Sequence, residues 1–364
     1  MQTINQDMAQ TAKRTFKLGV IEGFFGTAWT WDAQIHYAEF LQQHAFNTYL
    51  YAPKSDRLLR SQWQQLFDQD HLDRLISLCA HYQQKQIQFG IGISPLELYR
   101  DFSAYRRQQL ISKLEQINTI KPDILCILFD DMPGNDPQLA QQQARITDFI
   151  LSHSQASQYI FCPTYYSFDE KLSLHFGKKP DDYLKDLGKL IDPAIDIFWT
   201  GPRVFSADYP AAHLEQVAGF FNRKPLIWDN YPVNDAARLT DFLHLCAFPD
   251  RSSIMRELCA GHLSNPMNQA FLSQIPLFTL SQNYLGKPEK STLETACKSL
   301  CSAELAEQLI QDAACFQSEG LQKIGPKKKR LLHDTYSRFA DEAIAREILD
   351  WLNGRFAFDP DCLT

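Results

Sequence analysis

The chain has 364 residues, is 45% hydrophobic and carries a net charge of −7, with 25 Phe, 14 Tyr and 6 Trp. That is enough to bury a large core, and the length fits one large α/β barrel or two ordinary domains. The acidic balance argues against nucleic acid as a partner, and no apolar run reaches the length of a membrane span.

Residues 1–16 read as a flexible N-terminus, and the first 19 residues lack the apolar stretch of a signal peptide. Nine cysteines form no CxxC pair. Cys126 and Cys162 sit inside apolar runs, as reduced core thiols do. A cytoplasmic protein is therefore expected.

Apolar, β-rich runs then follow one another along the chain: residues 17–23, 47–53, 88–94, 123–130, 158–163, 195–202, 224–230 and, less sharply, 257–266. Between them lie segments with apolar residues three or four apart, as in 31–44, 71–85 and 136–153. The last of these opens with Asp136 as the expected N-cap and Pro137 in its first turn. Strict alternation of eight strands with helices predicts an α/β fold, a (β/α)8 barrel over 17–285. The rival is an open doubly wound sheet, but its Gly-rich phosphate turn is missing: the first strand runs into "EGFFGTAWTW". From 286 to 364 the pattern is helical only, and predicts a small C-terminal helical domain. Ser291 to Glu294 reads as a capping box. "PKKKR" (326–330) matches a nuclear-import signal by composition and is read here as a solvated helix start.

In such a barrel, chemistry gathers where strands end. The first strand ends at Glu22-Gly23, the second at Pro53-Lys54, the fourth at Asp130-Asp131, the fifth at Cys162-Pro163-Thr164-Tyr165-Tyr166. The sixth ends at Trp199-Thr200, the seventh at Trp228-Asp229-Asn230 and the eighth at Ser264-Asn265. Aromatic rings, amides, carboxylates and a lysine at one rim suit a sugar, whose C–H face stacks while its hydroxyls are bound. Taken singly, Trp199 and Trp228 read as packing residues, Asn230 as a turn residue and Lys54 as a surface cation.

The tandem acids at the end of "DILCILFDD" (123–131) pose the sharpest question. One answer is a solvated turn, since "DDMPGN" is ordinary turn chemistry. A second is magnesium, which one or two carboxylates can hold. The usual further ligands are absent: there is no HExxH and no Cys/His cluster, and His262 reads as a packed or hydrogen-bonded residue. A third is glycoside hydrolysis in which a 2-acetamido group of the substrate is the nucleophile. One aspartate would then hold the acetamide N–H, and the other would protonate the leaving oxygen and later activate water. Strand alternation would aim the two side chains apart.

The motifs "GVIEGFFGTAWTW", "NTYLYAPKSD", "ILFDDM", "FCPTYYS", "FWTGPRV", "PLIWDNYPVND" and "LSNP" occur in that order. Over about 17–285 the chain resembles the catalytic barrel of glycoside hydrolase family 84, the β-N-acetylglucosaminidases that include the protein O-GlcNAcases. The resemblance implies that Asp130 orients and polarises the acetamide and that Asp131 is the general acid/base. It implies that Tyr166 bonds the acetamido group, that Trp228 and Cys162 wall its methyl pocket, and that Asn230 sits near Asp130. It further implies that Gly23 (through its carbonyl) and Lys54 contact a ring hydroxyl, that Asp235 and Asn265 hold hydroxyls at the far end, and that Val204 approaches the sugar. No metal or other cofactor is implied, and the expected partner is a GlcNAc-bearing glycoconjugate or glycoprotein. The chain departs from the family at Phe25, where tyrosine is usual, and in its short helical tail, which is expected to pack on the barrel. The same rim on a glycan-binding barrel without turnover is the alternative, and the sequence leaves the oligomeric state open.

Overall fold

A computed structural model describes residues 15–357. The expected flexible N-terminus concerns residues of which 1–14 lie outside the described part. The elements alternate in chain order: β1 (Lys17–Glu22), α1 (Trp31–Gln43), β2 (Thr48–Tyr51), α2 (Gln69–Gln84), β3 (Gln88–Ile93), α3 (Ala104–Ile120), β4 (Ile124–Leu128) and α4 (Leu139–His153). There follow β5 (Gln158–Cys162), α5 (Glu170–Phe176), α6 (Tyr183–Leu190), β6 (Asp196–Trp199), α7 (Ala211–Phe221), β7 (Leu226–Asp229), α8 (Ser252–Leu258), β8 (Gly261–Ser264) and α9 (Ala270–Tyr284). All strand pairs are parallel, and β1 closes on β8 with Lys17 opposite Gly261 and Val20 opposite Ser264. The eight strands thus form the closed barrel that the sequence predicts.

The strands lie at the predicted places because a parallel strand covered on both faces must be apolar throughout. In β4 the run "ILCIL" is buried along its whole length. Close strand contact explains Gly19: a Cβ there would sit 1.9 Å from the Thr48 carbonyl oxygen on β2. At the barrel floor Lys17 and Asp196, from the starts of β1 and β6, form a buried ion pair at 2.8 Å. The helices begin on side-chain caps: Thr30 for α1, Asp68 for α2 and Ser103 for α3.

Two predicted caps are corrected. Asp136 does not cap α4; its carboxylate accepts from Gln138 N–H at 2.8 Å in a local turn, and the helix begins at Leu139, so Pro137 precedes it instead of lying in its first turn. The capping box at Ser291 does not form, because the Ser291 hydroxyl donates to the Thr279 carbonyl. Thr292 caps the helix instead, while Glu294 pairs forward with Lys298.

After α9 come α10 (Leu293–Leu300), α11 (Ala303–Ser318), α12 (Pro326–Ser337) and α13 (Ala343–Leu352). The basic run 326–330 opens α12, as its reading as a helix start requires. These helices bury a second apolar cluster that draws Leu272, Ile275 and Phe278 from α9 and Leu243 and Leu245 from the long β7–α8 loop. Glu347 on α13 caps α9, accepting the N–H groups of Phe271 at 3.0 Å and Leu272 at 2.8 Å. Burial raises its pKa to about 8. The tail also grips the β7–α8 loop: Trp351 Nε1–H donates to the Thr240 carbonyl at 3.0 Å, Leu321 N–H to that of Asp241 at 2.9 Å, and Leu243 N–H to that of Phe316 at 3.1 Å. Among the described residues no helix is long and apolar enough to cross a membrane.

Candidate active site

A cavity of about 560 Å³ opens at the C-terminal ends of the strands, and all eleven residues nominated from the sequence line it: Gly23, Lys54, Asp130, Asp131, Cys162, Tyr166, Val204, Trp228, Asn230, Asp235 and Asn265. They arrive from six different strand ends and two loops, so only the closed barrel brings them together. Trp199 is not among them; it is fully buried with its indole N–H on His213 at 2.9 Å, and it packs.

Asp130 and Asp131 stand just past the end of β4, and they differ in every respect that matters. Asp130 is buried, and its Oδ2 accepts a hydrogen bond from the Lys54 ammonium. Its Oδ1 is buried too, with no hydrogen-bond partner, which leaves one acceptor beside the cavity for an incoming donor. Asp131 keeps a quarter of its side-chain surface exposed. The Tyr166 hydroxyl donates to Asp131 Oδ1 at 2.9 Å, the Lys54 Nζ lies 3.9 Å from Oδ2, and Arg60 reaches the Asp131 carbonyl at 3.4 Å.

The backbone at the second acid has a feature that the sequence does not reveal. Asp131 has φ +54, in the left-handed region. Aspartate tolerates that conformation better than most residues, at a cost of about 1–2 kcal/mol. Both acids lie beyond the last residue of β4, so strand alternation does not set their directions, and both approach the Lys54 ammonium. Loss of hydration raises the Asp131 pKa, and the adjacent Asp130 charge raises it further; Lys54, Arg60 and the Tyr166 hydrogen bond act in the opposite direction.

Around the acids the amides form one connected array. The Asn230 carboxamide oxygen accepts from Trp228 Nε1–H and from Asn265 Nδ2–H, each at 3.0 Å, while its Nδ2–H donates to the Val204 carbonyl at 2.9 Å. These bonds fix which end of the amide is oxygen. Asn265 Oδ1 accepts from Gly23 N–H at 3.3 Å. Asp235 accepts from Phe25 N–H at 2.9 Å, and burial raises its pKa to about 6. Gly23 is required by close approach, since a Cβ there would meet Trp228 Cζ2 at 2.5 Å. The resemblance implies a sugar contact for Lys54 and for Tyr166; in the structure Lys54 pairs with Asp130 and Tyr166 holds Asp131.

Several features are not legible in the sequence. Arg60, Phe205 and the face of α5 bearing Lys171, Leu172, His175 and Phe176 also line the cavity. Thr200, named above at the end of the sixth strand, lines it as well; the others lie on segments that only the fold brings to the rim. Behind the first strand, Glu22 is fully buried and accepts from Tyr49 OH at 2.5 Å, Gln34 Nε2 at 2.8 Å and Trp29 N–H at 3.3 Å. Burial raises its pKa to about 7. His262 is hydrogen-bonded, as expected, 3.0 Å from Asp229 and 3.0 Å from the Tyr284 hydroxyl. Among the described residues no group of three His, Cys, Asp or Glu side chains is placed to hold a metal ion.

Comparison with known proteins places this geometry. A sequence profile of the beta-N-acetylglucosaminidases matches residues 18–317. The chain is 28% identical over 317 residues to protein O-GlcNAcases of Rattus norvegicus and Mus musculus, an alignment covering 84% of this chain and 33% of each relative. It thus spans about a third of the length of these two relatives. A mutant of the Thermobaculum terrenum O-GlcNAc hydrolase superposes with a TM-score of 0.74 at 26% identity, covering 93% of this chain and 81% of that one. With the family profile spanning most of the chain and the matching barrel carrying the tandem acids at its rim, the chain belongs to the beta-N-acetylglucosaminidase family.

Proposed function

We propose that this protein is a retaining exo-β-N-acetylglucosaminidase that releases terminal β-linked GlcNAc, including GlcNAc carried on protein side chains, by substrate-assisted catalysis. The observation that carries the proposal is the asymmetry of Asp130 and Asp131. Asp130, paired with Lys54, keeps its Oδ1 without a partner. That oxygen would accept the acetamide N–H and stabilise the positive charge that grows as the acetamide oxygen attacks C1. Asp131 retains its proton more readily than a free carboxylic acid does and gives it to the departing oxygen. The C1–O bond to the aglycone breaks as the bond from the acetamide oxygen forms, yielding an oxazoline whose N–H proton is shared with Asp130 Oδ1, the oxazolinium form. Water then attacks C1 while Asp131 takes back a proton, and the ring reopens to GlcNAc with its original configuration.

The remaining residues supply fit. Trp228 and Cys162 line the space for the acetamide methyl, and Asp235 and Asn265 bind the far hydroxyls. The helical tail over 286–364 would serve the barrel over 17–285 as a support. A reducing, cytoplasmic setting belongs to the same proposal, supported by eight described cysteines that are all free thiols. The test is a comparison of aryl β-GlcNAc with aryl β-glucose. Rapid release from the first and none from the second is expected. Equal turnover of both would remove the acetamide from the mechanism, and binding of GlcNAc without turnover of any substrate would leave a lectin-like barrel.

A further inference from the structure

The mouth of the cavity holds cations beyond Lys54, the one that pairs with Asp130. Arg60 is 8% exposed and lines the cavity beside Asp131, where a leaving oxygen must come to be protonated. Its guanidinium lies over the Phe25 ring at 5.3 Å. The one hydrogen bond of this guanidinium among the described residues runs to the Asp131 carbonyl at 3.4 Å, the long limit of such bonds. A guanidinium offers five N–H donors in a planar fork, so most of this fork has no protein acceptor. Lys171 and His175 line the same cavity and are exposed. Their four-residue spacing puts them on one face of α5. Lys171 forms no ion pair among the described residues: Glu170 beside it is exposed, and Asp169 already accepts the N–H groups of Lys171 and Val204. The acids of the cavity are engaged as well: Asp130 by Lys54, Asp131 by Tyr166 and Asp235 by the Phe25 amide. Arg60 and Lys171 are thus the cavity cations that no carboxylate side chain pairs among the described residues, since Lys54 is held by Asp130.

We infer that this mouth reads a negatively charged aglycone, specifically a polypeptide with Asp or Glu beside the GlcNAc-bearing residue. The inference rests on the hydrolase reading above. Arg60 would take one carboxylate in its fork, next to the scissile bond. Lys171 and His175, about 6 Å apart along the helix, would meet further acids along the chain. Charges spread over two separate segments match several side chains of an extended peptide better than the single carboxylate of a sugar acid. Exposed Phe205, also on the cavity wall, offers apolar surface to the peptide between its charges.

The experiment uses the full chain and three glycopeptides of equal length, with GlcNAc on a serine flanked by Asp, Ala or Lys. GlcNAc release gives kcat/KM for each. The Asp-flanked peptide should exceed the Lys-flanked one by about a hundredfold at low salt, with Ala between, since each charge-assisted contact is worth about tenfold. The ratio should shrink several-fold at about 0.5 M salt. Lys171→Glu should cut the Asp-to-Lys ratio about tenfold or more while aryl β-GlcNAc turnover stays within about twofold. Equal kcat/KM for the three peptides, or a ratio untouched by Lys171→Glu, with aryl β-GlcNAc hydrolysed normally, overturns this inference alone. Failure to hydrolyse aryl β-GlcNAc at all brings down the hydrolase reading and this inference with it.

Discussion

Asp130→Asn separates the charge of Asp130 from its shape. In the folded protein Asp130 is 5% exposed and bound to Lys54, whose own side chain is 3% exposed. The substitution leaves the buried ammonium with only the Asp131 carboxyl, 3.9 Å away, and breaking such a pair costs up to about 3–5 kcal/mol of stability. It also removes the anion that faces the developing oxazolinium. Electrostatic stabilisation of that kind is worth about 10²–10³-fold in kcat, or about 2.7–4.1 kcal/mol. The two losses can be told apart by adding Lys54→Met. With both charges gone, urea unfolding should recover most of the lost stability, because a neutral buried pair carries no desolvation penalty. The rate should not recover. The assay is kcat over a series of aryl β-GlcNAc substrates with leaving groups of falling pKa. The loss in Asp130→Asn should be the same, to within a few-fold, for every leaving group, because the acetamide attacks C1 in each case. A near-wild-type kcat in Asp130→Asn, or a double variant whose rate returns with its stability, would refute the role assigned to this carboxylate.

Asp131→Asn should cost about 10²–10⁴-fold with poor leaving groups and approach wild type with leaving groups that need no proton; a loss independent of leaving group contradicts the acid role. Tyr166→Phe removes a hydrogen bond that favours ionised Asp131, so the pKa of that acid rises. Because the protonated form is the active donor, the basic limb of the kcat–pH profile should move to higher pH, and a shift to lower pH would be inconsistent. Gly23→Ala places a Cβ against Trp228 and should raise KM about tenfold, or 1.4 kcal/mol, as seen in steady-state kinetics; an unchanged KM would mean that this wall is not a sugar contact. Dialysis against EDTA should leave kcat unaltered, and loss of activity restored by magnesium would return the tandem acids to metal binding.

The barrel is legible in the sequence because its rules are local. Buried parallel strands must be apolar, so each announces itself, and the residue after each strand must stand at the rim. The rule brings Asp130 and Asn265 to the rim, whereas it picks Trp199 as readily as Trp228, and only the resemblance separates the two. What stays hidden depends on long-range placement or on backbone angles. Arg60 lies in a loop whose sequence, "RLLRSQW" (57–63), has no feature that aims one arginine at Asp131. The left-handed turn at Asp131 has no marker beyond the tolerance of aspartate for it. Asp136 misleads because the same side chain that caps helices also closes short turns, and here the turn takes it. The short, less apolar β8 is the faintest strand, and its pairing with both β7 and β1 is what secures it.

The grip of the C-terminal helices on the β7–α8 loop reaches the chemistry. Trp351 anchors the loop at Thr240, five positions beyond the Asp235 carboxylate proposed to bind the far side of the sugar, and Glu347 closes the last barrel helix. The tail is thus a buttress for the loop that lines one edge of the cavity. On the proposed reading, a chain cut back to its barrel would keep both acids in place and lose the anchor of the loop that carries Asp235.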